Sequence, residues 1–339
     1  MNTRSSHRTC RQILFLAGLI VLTTIVPAPA ETPEKRKRPE MPAEIAARYT
    51  DTVEIRRDLP VGNGNNPRQM VDVYLPKKRA TDKPLPVVAF VHGGGWGGGN
   101  RQFFTERACD LAASGEYVAV GVGYRLTNEA HWPAQIHDCK AAIRWIRGHA
   151  QELNIDPNRI GAFGGSAGGM LVSLLGTSGN VTTLDGNLGP FTNLSSRVAC
   201  VVNICGPCDL TVPLCSGRMA VSISSNVTSL LGGPLPDKLD VAREASPLTY
   251  ITKDTPPILT IHGKHDSLVD FQHSVRFDAA LKQAGASSLL VPLEGVDHNF
   301  AAGPEPLRRI RQFLDLHLRG IPAEISTAII PRAEAVASQ

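Results

Sequence analysis

The chain has 339 residues, 42% of them hydrophobic and 19% charged, and its 35 Lys and Arg against 31 Asp and Glu give a formal charge of +4. The first 30 residues hold three arginines and no acid, so without them the charge is +1. Such near-neutrality leaves no electrostatic case for nucleic acid or an anionic membrane surface as partner, and what remains is long enough for one large α/β domain with a well-buried core.

Residues 1–30 place Arg4, Arg8 and Arg11 ahead of an uncharged apolar run over 13–26, then Ala28-Pro29-Ala30. These are the three regions of a secretory signal peptide cleaved near Ala30, and the run is short of a bilayer span. The expectation is export, to the periplasm or outside the cell, with no stable membrane anchor after cleavage. Cys10 precedes the apolar run and suggests no lipid anchor. Lys35-Arg36-Lys37-Arg38, set among Pro33, Pro39 and Pro42, reads as part of a solvated, flexible leader over 31–50.

The main domain is expected over 51–320. Alternating and β-branched residues predict strands over 52–59 and 69–75, separated by Gly62-Asn63-Gly64-Asn65 and forming an antiparallel edge. Residues 86–91 are a continuous apolar run, which suits a strand buried on both faces of a mainly parallel sheet. That run ends in His92-Gly93-Gly94-Gly95-Trp96, with three more glycines behind it. No GK[ST] follows, which argues against a phosphate loop.

A helix over 102–114, a strand over 117–122 and a long helix over 133–153 come next. Pro133 sits where a first-turn proline is tolerated, and Ile136, Ala141, Ile143 and Ile146 form an apolar stripe. A strand over 160–164 then runs into Phe163-Gly164-Gly165-Ser166-Ala167-Gly168-Gly169, with a helix over 167–175 behind it. A further buried strand is expected over 198–204. Strands alternating with helices predict an α/β fold, a doubly wound, mostly parallel sheet of about eight strands. Over 206–256 the periodicity is lost, which reads as a small cap above the sheet. Order returns with a strand over 258–262, a helix over 271–284, a strand over 288–292 and a helix over 306–318. The tail over 321–339 is polar and rich in small residues and is expected to be poorly ordered.

Six cysteines follow the leader, four of them clustered as Cys200, Cys205, Cys208 and Cys215. In an exported chain one or two disulfides are expected there, and Cys109 with Cys139 is a further pairing; the connectivity is not legible. Cys205-Gly206-Pro207-Cys208 has no second such pair and no histidine pair to complete a zinc site, so the thiols read as structural.

Gly164, Ser166 and Gly168 spell GxSxG, the pattern of a turn that carries a strand straight into a helix with an exposed serine hydroxyl. Serine is a weak nucleophile and needs a base, itself oriented by a third group. In the chain order serine, acid, histidine, the base is His298 in Gly295-Val296-Asp297-His298-Asn299-Phe300, and the acid is Asp266 in His262-Gly263-Lys264-His265-Asp266. Asp270 and Asp297 are the rivals. Asp270 reads as a helix cap, and Asp297 cannot easily fold back onto its neighbour's ring. His262, His265 and Asp266 do not read as metal ligands, because neighbours at a strand end point in different directions, and neither metal nor cofactor is expected. Acyl transfer also needs donors aimed at the developing oxyanion, and the N–H groups of Gly94, Gly95 and Ala167 are assigned to that task. Trp96 reads either as a wall of the substrate pocket or as packing.

With Gly123-Tyr124-Arg125-Leu126, Pro133-Ala134-Gln135-Ile136-His137-Asp138, Asp156-Pro157-Asn158-Arg159-Ile160 and Ala245-Ser246-Pro247 added, residues 69–318 resemble an α/β-hydrolase of the HGGG esterase and lipase group. More narrowly they resemble its bacterial carbohydrate-esterase-like branch, labelled BD-FAE-like. Where the hormone-sensitive-lipase-like branch carries an acid before the nucleophile, Gly165 stands here. The resemblance implies hydrolysis of small, short-acyl esters or esterified glycans, acetylated or feruloylated, through a serine acyl-enzyme. Two other readings are a peptidase of prolyl-oligopeptidase type, which usually needs a propeller that about 50 leading residues cannot form, and a catalytically silent binding module on the same fold. The acyl group, the alcohol and the oligomeric state are not legible.

Overall fold

In this computed structural model residues 47–299 and 303–336 are described. The signal segment with its cleavage site near Ala30, residues 31–46 of the leader, Phe300 of the histidine motif and residues 337–339 lie outside the described residues.

Eight strands form one sheet in the order β1-β2-β4-β3-β5-β6-β7-β8. They are β1 Val53–Pro60, β2 Met70–Pro76, β3 Leu85–Val91, β4 Val118–Val122, β5 Ile155–Gly165, β6 Cys200–Ile204, β7 Ile258–Gly263 and β8 Ser288–Leu293. The first two give the antiparallel edge and β2 meets β4 antiparallel, while every later pairing is parallel. All residues of β3, β4 and β6 are buried, as continuous apolar runs require of strands covered on both faces.

Side chains alternate across a strand, so the sheet divides the interior in two. Val87, Ala89 and Val91 of β3 join one core with helices α2 Ala134–Gly148, α3 Ala167–Thr177 and α5 Gln272–Gln283. Val88 and Phe90 join the other with α1 Thr105–Ala113 and α6 Pro304–Leu314. The cap contributes helix α4 Ala220–Leu231 and several short turns of helix.

Four expectations change. The long helix over 133–153 is two pieces: it stops at Gly148, His149 takes non-helical angles, and a single turn Ala150–Leu153 follows. The leader gives way to the domain before residue 51, since Tyr49 is buried in the second core and its hydroxyl bonds Asp110. The tail packs against the domain as far as residue 336. Ile330 forms a bridge with Leu293 of β8, and Arg309 donates from Nη1 to the carbonyls of Ser326 and Ala328 at 2.8 and 2.7 Å.

The fourth change concerns the cysteines, all six of which are free and buried. Cys139 lies in the first core and Cys109 in the second, so the sheet itself stands between them, and Cys205 and Cys208 are divided in the same way.

Candidate active site

Five segments leave the carboxyl ends of parallel strands and meet here, four of them with expected site residues and the fifth with Cys205, where an open α/β sheet places its ligands. His92 to Trp96 follow β3, Ser166 follows β5, Cys205 follows β6, Asp266 follows β7 and His298 follows β8.

Ser166 is the only residue between β5 and α3, with φ 55° and ψ −124°. A non-glycine residue is rarely held there, and strain of this kind concentrates at functional turns. The flanking glycines are a steric necessity. A Cβ on Gly164 would lie 2.3 Å from the Gly168 carbonyl oxygen, and one on Gly168 would lie 2.2 Å from that of Val91. The Ser166 N–H is used by Ile204 O at 2.8 Å, and its hydroxyl makes no helix-capping bond. Ala167 opens α3, so its N–H has no carbonyl one turn back to bond.

The loop after β3 turns through left-handed angles at Gly94 (φ 114°), Gly95 (φ 57°) and Trp96 (φ 59°), and Gly94 O accepts from Gly98 N at 2.9 Å. Gly94, Gly95, Trp96, Ser166, Ala167 and His298 line one cavity of about 330 Å³. Trp96 is 2% exposed, packs into the core and lines the cavity. Phe103, Pro207, Leu214, Ile223, Leu268 and Val269 complete an apolar lining, and Asn226 on α4 adds an amide whose side chain lies against Gly95.

Asp266 and His298 meet: Nδ1 of the ring lies 2.7 Å from Oδ2 of a carboxylate whose side chain is fully buried. Oδ1 of Asp266 accepts from the N–H groups of Leu268 and Val269 at 2.9 and 2.8 Å. A second imidazole, His262, brings Nε2 to 2.9 Å from the same Oδ2. Burial works against the charged carboxylate, but the hydrogen bonds from His262 and His298 overrule it and hold Asp266 well below the usual carboxylate range. For His298 burial opposes the charged ring, and the bond to Asp266 outweighs it, so its pKa is raised.

The rival acids are engaged elsewhere. Asp297 accepts from Ser267 and from the His298 N–H, and Asp270 accepts from Gln272 N at the start of α5.

Beyond the Asp266 bond, His298 Nε2 lies 3.9 Å from Cys205 Sγ, and burial pushes that thiol's pKa up. Ligand atoms of Cys205, Asp266 and His298 fall within 4.8 Å of one another, a spacing a cation could bridge. The trio does not fit a metal. All four acceptor positions of Asp266 are taken by N–H donors, which leaves one ring nitrogen and one buried thiol, short of a four-ligand cage.

Sequence reasoning weighed His262 only as a metal ligand and missed its bond to Asp266, and it missed Asn226 and Phe103 altogether. The first has a legible signal, a histidine four residues before the acid and inside a buried strand. The other two come from segments with no motif.

A family model described as BD-FAE matches residues 71–281. The chain is 31% identical over 275 residues to esterase LipC of Mycobacterium tuberculosis, which covers 81% of this chain. It spans 64% of LipC's own length, and 54% and 45% of the lengths of LipQ and LipM from the same organism. Among solved structures, a truncated carbohydrate esterase from gut microbiota superposes with a TM-score of 0.70 at 25% identity, covering 79% of this chain and 97% of that one. Esterase 2 of Thermogutta terrifontis gives 0.62 at 27% identity, covering 82% and 96%.

Proposed function

Because the chain belongs to the BD-FAE family of α/β-hydrolases, we propose that it is an exported serine carboxylesterase acting on short-acyl or carbohydrate esters through an acyl-enzyme. The observation that carries this reading is one cavity bordered by a serine on a strained elbow, a histidine bonded to a buried aspartate, and glycine-rich backbone.

In the proposed reaction Ser166 Oγ attacks the ester carbonyl carbon while His298 Nε2 takes its proton. Asp266, bonded at Nδ1, holds the ring's orientation and stabilises the imidazolium. The N–H groups of Gly94, Gly95 and Ala167 receive the negative charge on the carbonyl oxygen, and the positive end of α3 favours it there. His298 then returns the proton to the departing alkoxide, which leaves as the alcohol. Water attacks the acyl-enzyme by the same route in reverse, releasing the acid and restoring Ser166.

The substrate class is supported by cavity size and lining. A volume of about 330 Å³ is at the low end for small-molecule sites, which suits a short acyl group with its alcohol better than a long fatty chain. Esterases and a carbohydrate esterase are named among the similar proteins, which supports an ester, including a carbohydrate ester, as the substrate. Export is supported by the arginines, the apolar run and Ala28-Pro29-Ala30 of the first 30 residues.

The test compares wild type with Ser166→Ala on p-nitrophenyl acetate and with a fluorophosphonate probe. Loss of both turnover and labelling is expected, and full turnover in the variant would reject the reading. A panel of acetyl, butyryl, feruloyl and acetyl-xylan substrates then ranks the esters, and N-terminal sequencing of exported protein checks cleavage near Ala30.

A further inference from the structure

His262 lies in β7 with its side chain completely buried, and every polar atom of its ring is engaged. Nε2 is 2.9 Å from Asp266 Oδ2 and 2.9 Å from the Val269 carbonyl oxygen, while Nδ1 is 2.6 Å from Ser274 Oγ on α5. A carbonyl oxygen can only accept, so in the neutral ring the proton belongs on Nε2, shared between Val269 O and Asp266. Nδ1 then accepts from the Ser274 hydroxyl. Phe271 packs edge-on against the ring at 5.6 Å between centroids, which leaves it little room to turn.

Two imidazoles therefore compete for one carboxylate oxygen. Each hydrogen bond to Asp266 draws off part of the negative charge that would otherwise stabilise the His298 imidazolium. We infer that His262 is a positioning residue of the proposed hydrolysis: held by Ser274, it locks the Asp266 carboxylate toward His298 and, by sharing Oδ2, limits how basic His298 becomes. The assignment rests on the serine-esterase reading for its catalytic meaning, though not for its effect on His298 itself. A base whose pKa climbs too far is protonated at working pH and cannot take the serine proton. His262 thus trades some stabilisation of the imidazolium for a ring that is neutral more of the time.

Other titratable or charged groups near this cluster are Cys205 after β6, Asp297 beside His298, Cys215 in the cap, Asp270 just before α5, and His273 and Arg276 on α5, and the test leaves all of them in place. Three variants of the full chain are compared with wild type: His262→Leu, which removes the donor, His262→Gln, whose amide reaches with an N–H of its own, and Ser274→Ala. Titration of the His298 ring is followed by ¹H–¹⁵N NMR on histidine-labelled protein, and the acid limb of kcat/KM is measured on p-nitrophenyl acetate. In His262→Leu the His298 midpoint should rise by about half a pH unit or more, with kcat down roughly tenfold as the carboxylate loosens. His262→Gln should stay near wild type, and Ser274→Ala should shift in the same direction as leucine by less. If His262→Leu does not fold, Ser274→Ala and His262→Gln still decide: an unmoved midpoint in the former, or a leucine-sized rise in the latter, overturns the inference. The NMR midpoint needs no turnover, so a failed esterase reading, seen as full activity in Ser166→Ala, is distinguishable from a failed role for His262.

Discussion

Gly168 is seated directly on Val91: a Cβ there would lie 2.2 Å from the Val91 carbonyl oxygen and 2.5 Å from that of His92. The elbow that presents Ser166 thus rests on the last residue of β3, and the chain leaving β3 is the loop that carries Gly94 and Gly95. The Ser166 turn and the Gly94–Gly95 loop meet through this one backbone approach.

Gly168→Ala tests that contact. The clashing atoms are backbone and cannot swing aside, so the cost is about 3 kcal/mol or more. The expected outcome is a lower Tm together with loss of fluorophosphonate labelling. A variant with wild-type Tm and turnover would refute the seating.

The acid side of the pH profile follows from His298. In the proposed reaction the ring must be neutral to accept the serine proton, and its pKa is raised because the Asp266 bond outweighs burial. kcat/KM should therefore climb with pH through a midpoint above the ordinary imidazole value of about 6.5. In Asp266→Asn the midpoint should fall and the rate should drop by about 10⁴. A midpoint that ignores this substitution would remove Asp266 from the proposal.

Stability carries the same signs. Asp266 is depressed in the fold, so its contribution is present above the unfolded carboxylate value of about 3.9 and is lost as pH falls through its folded value. His298 is raised, so its contribution is complete below about pH 6.5 and is lost as pH rises through its folded value. Urea unfolding against pH should show wild type losing its advantage over Asp266→Asn at the acid end. A constant difference between the two would contradict the linkage.

Gly95 offers a separate handle on the amide loop. Its φ of 57° strains any side chain, and an added Cβ would lie 2.7 Å from Asn226 Nδ2. Gly95→Ala should lower kcat by roughly 10² to 10³ with a smaller change in KM, measured on p-nitrophenyl acetate. Equal losses in both parameters would point to a collapsed pocket instead.

Thiol titration checks the interior. The six described cysteines are buried, and desolvation raises the pKa of Cys109, Cys200 and Cys208. In protein cleaved near Ala30, which lacks Cys10, Ellman's reagent should find them unreactive in the native state and all six in denaturant, without prior reduction. Fewer than six would mean a disulfide.

Strands were legible because continuous apolar runs such as 86–91 have few other uses, and the elbow because a helix starting one residue after a strand demands glycine at 164 and 168. Asp266 and His298 were legible through chain order. What escaped depended on contacts between distant segments. Nothing near Phe103 or Asn226 announces that they share a cavity with Ser166, since one follows β3 and the other arrives from the cap. Helix periodicity continues past Gly148, while the break at His149 appears only in the backbone angles. The tail looked unstructured by composition, yet it is tied to the domain by contacts with Leu293 and Arg309 that no local pattern announces.

That tail has a bearing on how the molecule comes to life. Glu294 N bonds Ile330 O at 2.9 Å, Arg332 reaches the Gly295 carbonyl, and Gly303 N bonds Ala335 O at 3.2 Å, so residues 330–335 fasten both ends of the segment bearing His298. They also leave the ribosome after all eight strands of the sheet. A nascent chain still lacking them would hold Ser166 and the Gly94–Gly95 loop on the sheet while the segment of His298 was not yet fastened.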